Sequence, residues 1–189
     1  MDYYEERYEV CVRRSKQTGL VVSEEWTAAG RLHREGAPAV TKYDEANGTK
    51  IGEEWFKRGR CHREEGPRAT FFDAASGRVV EENWGIDDME HRTGAPSYIE
   101  YSPISGKATR EEWRTLGNLH RIDGPAVVVR SPNTSVVTLE EWHHRGVQHR
   151  EDGPAVIVRD ESSGKVVLAE FYRLGRLQAA RTIDRKLER

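Results

Sequence analysis

The chain has 189 residues, 36% of them hydrophobic and 33% charged, with a mean hydropathy of −0.81. That is a lean apolar supply for a compact core, so one domain with much surface is expected, not several independent globular units. Thirty basic and 32 acidic residues leave a formal charge of −2, which excludes a whole-molecule field able to hold nucleic acid or an anionic membrane by charge alone.

No apolar run reaches the ~18 residues of a membrane helix, and the charged start, Met1 to Arg13, does not read as a signal peptide. A soluble, cytoplasmic protein is therefore expected. Cys11 and Cys61 are too few for a disulfide framework or a Cys-based zinc site.

Residues 1–26 read as an N-terminal half-repeat whose first strand starts near Tyr8. From there the chain is periodic. All five tryptophans, Trp26, Trp55, Trp84, Trp113 and Trp142, stand 29 residues apart, and the next step lands on Phe171. His33, His62, His91, His120 and His149 keep the same step, each followed by Arg, as do Pro38, Pro67, Pro96, Pro125 and Pro154. Self-similarity of this kind identifies a repeat architecture. Two glycine columns complete it: Gly19, Gly48, Gly77, Gly106 and Gly164, with Ser135 in the gap, and Gly30, Gly59, Gly117, Gly146 and Gly175, with Asp88 as the exception.

Within each unit the signals are those of strands. Ala126 to Arg130 and Ala155 to Arg159 are β-branched runs opened by Pro, which a strand accepts at its first residue. Asn47-Gly48, Ser76-Gly77, Ser105-Gly106 and Ser163-Gly164 supply the positive-φ residue of a hairpin turn. The expected fold is all-β: an elongated antiparallel meander of about six 29-residue β-hairpin repeats, five of them within residues 27–171. In residues 172–189 the pattern stops. Gln178 replaces the His, and Ala180, Ile183 and Leu187 have helical spacing, so Leu177 to Arg189 is expected to be a short helix capping the last strand. Val137, Leu139 and the Val-rich last strands are apolar on both faces and call for a cover: the helix, a second copy in a homodimer, or a partner.

Residues that recur in every unit are those the unit needs in order to form. Trp26, Trp55, Trp84, Trp113 and Trp142, with His33, His62, His91, His120 and His149, are thus expected to be a structural ladder, the tryptophans its apolar spine. The acid pairs Glu24-Glu25, Glu53-Glu54, Glu111-Glu112 and Glu140-Glu141 alternate faces, so one of each can meet an Arg across the sheet. Equivalent histidines lie about 9 to 10 Å apart, too far to share a zinc ion whose ligands sit about 2 Å from it. No metal and no cofactor is expected. Nucleophile-elbow, phosphate-loop and zinc-protease motifs are absent, and a chemistry repeated in every unit is unlike a singular active site, so the chain reads as a non-enzyme.

Function is expected where units differ. The three residues after each Trp vary completely and form a row along one edge. Phe56, Arg58, Ile86, Arg114, Leu116, His143, Arg145 and Tyr172 are the candidate partner-binding residues there, of types enriched at protein interfaces. The third unit is the most irregular, with Asn83, Ile86, Asp88 and Met89.

The pattern of Trp, Gly, His-Arg and Gly-Pro-Ala resembles the MORN-type repeat, and more closely a variant of it in bacterial, phage and giant-virus proteins. The resemblance covers Tyr8 to Gln178 and is strongest over Trp113 to Ala126 and Trp142 to Ala155. The 29-residue unit is longer than a MORN unit, and Arg follows His where MORN has Gly. The resemblance implies an elongated single-layer sheet of hairpins used as a scaffold for protein contact, sometimes dimeric and sometimes lipid-binding, with no reaction. In a phage setting the partner would be a host defence protein that the module inhibits. The alternative reading is nucleic-acid or anionic-lipid binding through an Arg-rich face, Arg being the better phosphate fork; the near-equal acids argue against a lipid-binding polybasic patch.

Overall fold

The computed structural model describes residues 5–182 and is all-β, with no helix among those residues. The chain divides into two compact units, Met1–Met89 and Glu90–Arg189.

The first unit contains β1 (Glu9–Arg14), β2 (Val21–Ala28), β3 (Arg31–Leu32), β4 (Val40–Tyr43), β5 (Lys50–Glu54), β6 (Phe56–Lys57), β7 (Arg60–Cys61), β8 (Ala69–Phe72), β9 (Val79–Asn83) and β10 (Gly85–Ile86). Its main sheet is an antiparallel meander in the order β1-β2-β4-β5-β8-β9. Strand β3 folds back on the end of β2, and β6 pairs with β7 as a separate two-stranded ladder.

The chain enters the second unit within β11 (Met89–Glu90). It continues through β12 (Tyr98–Tyr101), β13 (Ala108–Glu112), β14 (Arg114–Thr115), β15 (Asn118–Leu119), β16 (Val127–Arg130), β17 (Val137–Glu141), β18 (His143–His144), β19 (Val147–Gln148), β20 (Val156–Arg159), β21 (Val166–Arg173) and β22 (Arg176–Thr182). The order is again a meander, β12-β13-β16-β17-β20-β21-β22, with β14-β15 and β18-β19 as short ladders beside it.

Each repeat thus carries two hairpins where the sequence suggests one. The long hairpin turns at the first glycine column. Asp44 N–H donates to Thr49 O (2.8 Å), Gly48 N–H donates to Asp44 O (2.9 Å), and Asp44 Oδ1 accepts from the N–H groups of Ala46 and Asn47. Asp, or Ser as in Ser131, opens this turn because a short side chain can satisfy the turn's own amides. Ser135 adopts the same left-handed conformation as the glycines it replaces, at φ 64°.

The register explains the acid pairs. Val128 lies between Glu111 and Glu140, and Val127 between Glu112 and Glu141, so small apolar and acidic side chains alternate along both faces. The acids meet cations on neighbouring strands: Arg130 pairs with Glu111 and Arg159 with Glu140, while in the first unit Arg13 pairs with Glu25 and Lys42 with Glu54. The buried apolar set is correspondingly small-residue. It comprises Ala39, Val40 and Ala69 in the first unit, and Ile99, Ala126, Val127, Val128, Ala155, Val156 and Ile157 in the second. The alanines after Pro, Ala39, Ala126 and Ala155, are fully enclosed, and their carbonyls accept the Trp amide, as in Trp26 N–H to Ala39 O and Trp142 N–H to Ala155 O, both 2.7 Å.

The helix expected over Leu177 to Arg189 is not formed through Thr182. That stretch is part of β22, which pairs with β21 from Leu168↔Thr182 to Arg173↔Arg176. An open sheet edge offers a row of unpaired amides and carbonyls. An extended segment satisfies them directly, which outweighs a helical spacing resting largely on Ile183 and Leu187. Those two lie outside the described residues.

Candidate interaction edge

The repeated His-Arg, Gly and Pro form a clasp around the Trp. Arg34 stacks over Trp26 and Arg63 over Trp55, each at 3.8 Å from the ring centroid; Arg121 over Trp113 and Arg150 over Trp142 do so at 4.0 Å. Each guanidinium also donates through Nη1 to a carbonyl four residues on: Pro38, Pro67, Pro125 and Pro154. The residue before Pro is Gly in three repeats and Ala37 or Ala95 in two, where Arg34 and Arg92 still reach the Pro38 and Pro96 carbonyls; at the glycines the guanidinium passes closer. A Cβ at Gly124 would lie 3.0 Å from Arg121 Cζ, and one at Gly66 only 2.7 Å from Arg63 Cζ. Trp, Arg and Pro are therefore one device, in which a half-exposed indole is roofed by a cation at ~0.5–2 kcal/mol per stack. The tryptophans are only half-buried, and the closed core is made by the Ala and Val positions.

Beyond each Trp the chain makes the short hairpin, and the second glycine column is its turn. Both central residues are left-handed: Ala29-Gly30 (φ 48°, 71°), Arg58-Gly59 (52°, 86°), Leu116-Gly117 (49°, 80°), Arg145-Gly146 (51°, 85°) and Leu174-Gly175 (48°, 77°). Asp87-Asp88 (49°, 67°) does the same without glycine. Two positive φ angles in succession define the type I′ turn, which favours Asn-Gly.

Successive short hairpins are tied together by two bonds. In the first unit, Gly59 N–H donates to Leu32 O (2.7 Å) and Asp88 N–H to Cys61 O (3.0 Å); in the second, Gly146 N–H donates to Leu119 O and Gly175 N–H to Gln148 O, both 2.9 Å. The histidine column makes the other bond. Nδ1 of His33, His62, His120 and His149 accepts the N–H of Arg58, Asp87, Arg145 and Leu174 respectively, at 3.3–3.4 Å. An Nδ1 that accepts leaves the neutral ring's proton on Nε2, which is the tautomer this bond selects in His62, His120 and His149; His33 Nδ1 also lies 3.4 Å from the Phe56 carbonyl. Burial, then His144 and Arg145, hold the His120 imidazole below its ordinary pKa.

The candidate residues divide on this frame. Arg58, Leu116 and Arg145 occupy the left-handed turn tips and are exposed, Leu116 at 53%. Ile86 is exposed on β10. Phe56 and Tyr172 are half-buried at the hairpin bases. Arg114 is held by Glu112 (2.6 Å) and Glu90 (2.8 Å), and His143 is buried with Nε2 3.0 Å from Glu141 Oε2. The last two are thus spent within the fold. Leu174, 68% exposed at a turn tip, is missing from the candidates; its place directly before Gly175 was the available signal.

Among the described residues no group of three or more His, Cys, Asp or Glu is placed to hold a metal ion. The shifted ionisable groups each have a local cause. Burial pushes the Cys61 thiol up to about 11. Burial also opposes ionisation of Glu112, but hydrogen bonds from Arg114 and Arg110 outweigh it and hold the carboxyl below its usual range. Comparison with protein families, with curated proteins and with solved structures returned no match.

Proposed function

We propose that the chain is a non-enzymatic protein-interaction module of about six MORN-like hairpin repeats, which presents its type I′ turn tips to another protein. One observation carries this reading. Arg58, Leu116, Arg145 and Leu174 hold bulky side chains on left-handed backbone that costs a non-glycine L-residue roughly 1–2 kcal/mol. Their side chains are exposed, so packing does not repay that strain. Strain held at exposed positions on a rigid frame is the signature of a contact surface. The recurring residues, by contrast, are consumed in the clasp, the acid–Arg pairs and the hairpin ties.

The alternative, nucleic-acid or anionic-lipid binding through an Arg-rich face, is less well supported. Arg13, Arg34, Arg63, Arg110, Arg114, Arg121, Arg130, Arg150 and Arg159 are already engaged by carboxylates, indoles or carbonyls. A homodimer through the C-terminal repeats is a separate proposal, which a monomeric mass by light scattering would remove.

The test is affinity capture with the wild type beside a variant carrying Arg58→Asn, Leu116→Asn, Arg145→Asn and Leu174→Asn. A protein retained by the wild type and lost by the variant is the expected result. Equal retention would move the site off the turn tips.

A further inference from the structure

The first unit carries a cluster of four cations, and the fold leaves three of them, Arg31, Arg58 and Arg60, without an ion pair among the described residues. A groove is lined by Arg31, Lys57, Arg58, Arg60, His62 and Asp87. All four cations are exposed. Among the described residues, the guanidinium groups of Arg31, Arg58 and Arg60 make no hydrogen bond or ion pair, unlike those of the clasps and acid ladders. Two acids lie beside them: Glu64, 3.7 Å from Lys57 Nζ and 3.6 Å from His62 Nε2, and Asp87, whose N–H donates to His62 Nδ1.

The cluster is also placed by the fold. Lys57 and Arg60 face one another across the β6–β7 ladder, and Arg58 is the turn tip between them. Arg31 belongs to the preceding short hairpin, and its stem packs on the Gly59 turn, with Cβ 3.5 Å from where a glycine Cβ would stand. Arg31 and Arg60 occupy the same column one repeat apart, roughly 10 Å by strand spacing.

We propose that this groove binds a short acidic segment of a protein partner in extended conformation, its carboxylates meeting Arg31, Arg58 and Arg60. The proposal rests on the turn-tip reading and names the chemistry of its partner in the first unit. Alternate side chains of an extended peptide recur about every 7 Å, so two or three carboxylates span the cluster. A polynucleotide fits less well. Its unbroken phosphate charge would run onto the exposed acids Asp87 and Asp88, against a chain of net charge −2.

The experiment is fluorescence anisotropy of a labelled peptide alternating Glu and Ser, its Gln counterpart and a single-stranded oligonucleotide of equal charge, at about 50 mM salt, where screening is weak. The proteins are wild type, the variant Arg31→Gln/Arg58→Asn/Arg60→Gln, and the control Lys16→Gln/Lys107→Gln/Arg176→Gln, which removes three exposed charges outside the groove, each checked for an unchanged strand spectrum and cooperative melt. The Glu peptide is expected to bind wild type and control alike. The triple variant should bind at least about tenfold more weakly, and the Gln peptide should not bind. Absence of Glu-peptide binding, or equal binding by the triple variant, would overturn the assignment. Tighter oligonucleotide binding that the triple variant abolishes would transfer the groove to nucleic acid. Failure here leaves the turn-tip reading standing wherever capture still depends on Leu116 and Leu174.

Discussion

At the residue scale, the arginine after each histidine is worth more than its charge. Arg121 touches the Trp113 ring, donates to the Pro125 carbonyl and crosses the space that a Cβ at Gly124 would enter. No positive φ attaches to Gly124, and Ala37 stands at the same place in a repeat whose Arg34 stacks on Trp26 at 3.8 Å. Gly124→Ala is therefore expected to be tolerated with a small shift of the guanidinium, whereas Arg121→Ala should lower stability by about 0.5–2 kcal/mol through loss of the stack. Urea unfolding of the two variants checks this; a larger loss from Gly124→Ala than from Arg121→Ala would contradict it. Ser135 provides a complementary case. At φ 64° its Cβ is strained, and Ser135→Gly should raise stability by about 0.5–1 kcal/mol, read as a shift in the urea midpoint at constant slope.

At the element scale, the short hairpins are tied to one another through imidazoles that must stay neutral to accept. Protonation turns Nδ1 into a donor facing an N–H. His120, held below its ordinary pKa by burial, His144 and Arg145, binds its proton less readily when folded than when unfolded. The unfolded chain therefore takes up the proton first as pH falls below about 6.5, and stability drops with it. The urea midpoint should decline from pH 7 to pH 5, and His120→Gln should flatten that decline. A midpoint rising on acidification would contradict the hairpin ties.

The long hairpins and the acid–Arg rungs were legible in the sequence because period, turn glycines and alternation are local signals. The short hairpins were not separated from the long ones, since two-residue strands are too brief to show alternation; only the X-Gly pair marks them. Arg114 and His143 looked free although Glu112 and Glu141 stand two residues before them, on the same face of an extended chain; only Glu90 is a partner that no local pattern shows. The C-terminal strand was missed because β-pairing to β21 is a non-local gain, whereas helical spacing is visible in the chain itself.

At the scale of the whole molecule, each unit combines a rigid sheet with a line of exposed turns, and the two lines differ in chemistry. The first unit offers Arg31, Lys57, Arg58 and Arg60; the second offers the exposed Leu116, Val147, Leu174 and Leu177. A partner engaging the second unit should bind through apolar contacts that salt barely affects, whereas binding to the first should weaken steeply as salt rises. Titrations of each charge-neutral or apolar-to-polar edge variant across ionic strength check this division. If residues such as Leu174 served the fold, stability would fall when they are exchanged for side chains suited to left-handed backbone. If they serve contact, stability would rise. The most direct measurement is therefore urea unfolding of the variant with Asn at positions 58, 116, 145 and 174. A gain of roughly 2 kcal/mol or more over wild type, summed from about 0.5–1 kcal/mol per relieved turn, is expected. A loss of stability would show that these side chains hold the protein together, and would contradict their assignment as its binding surface.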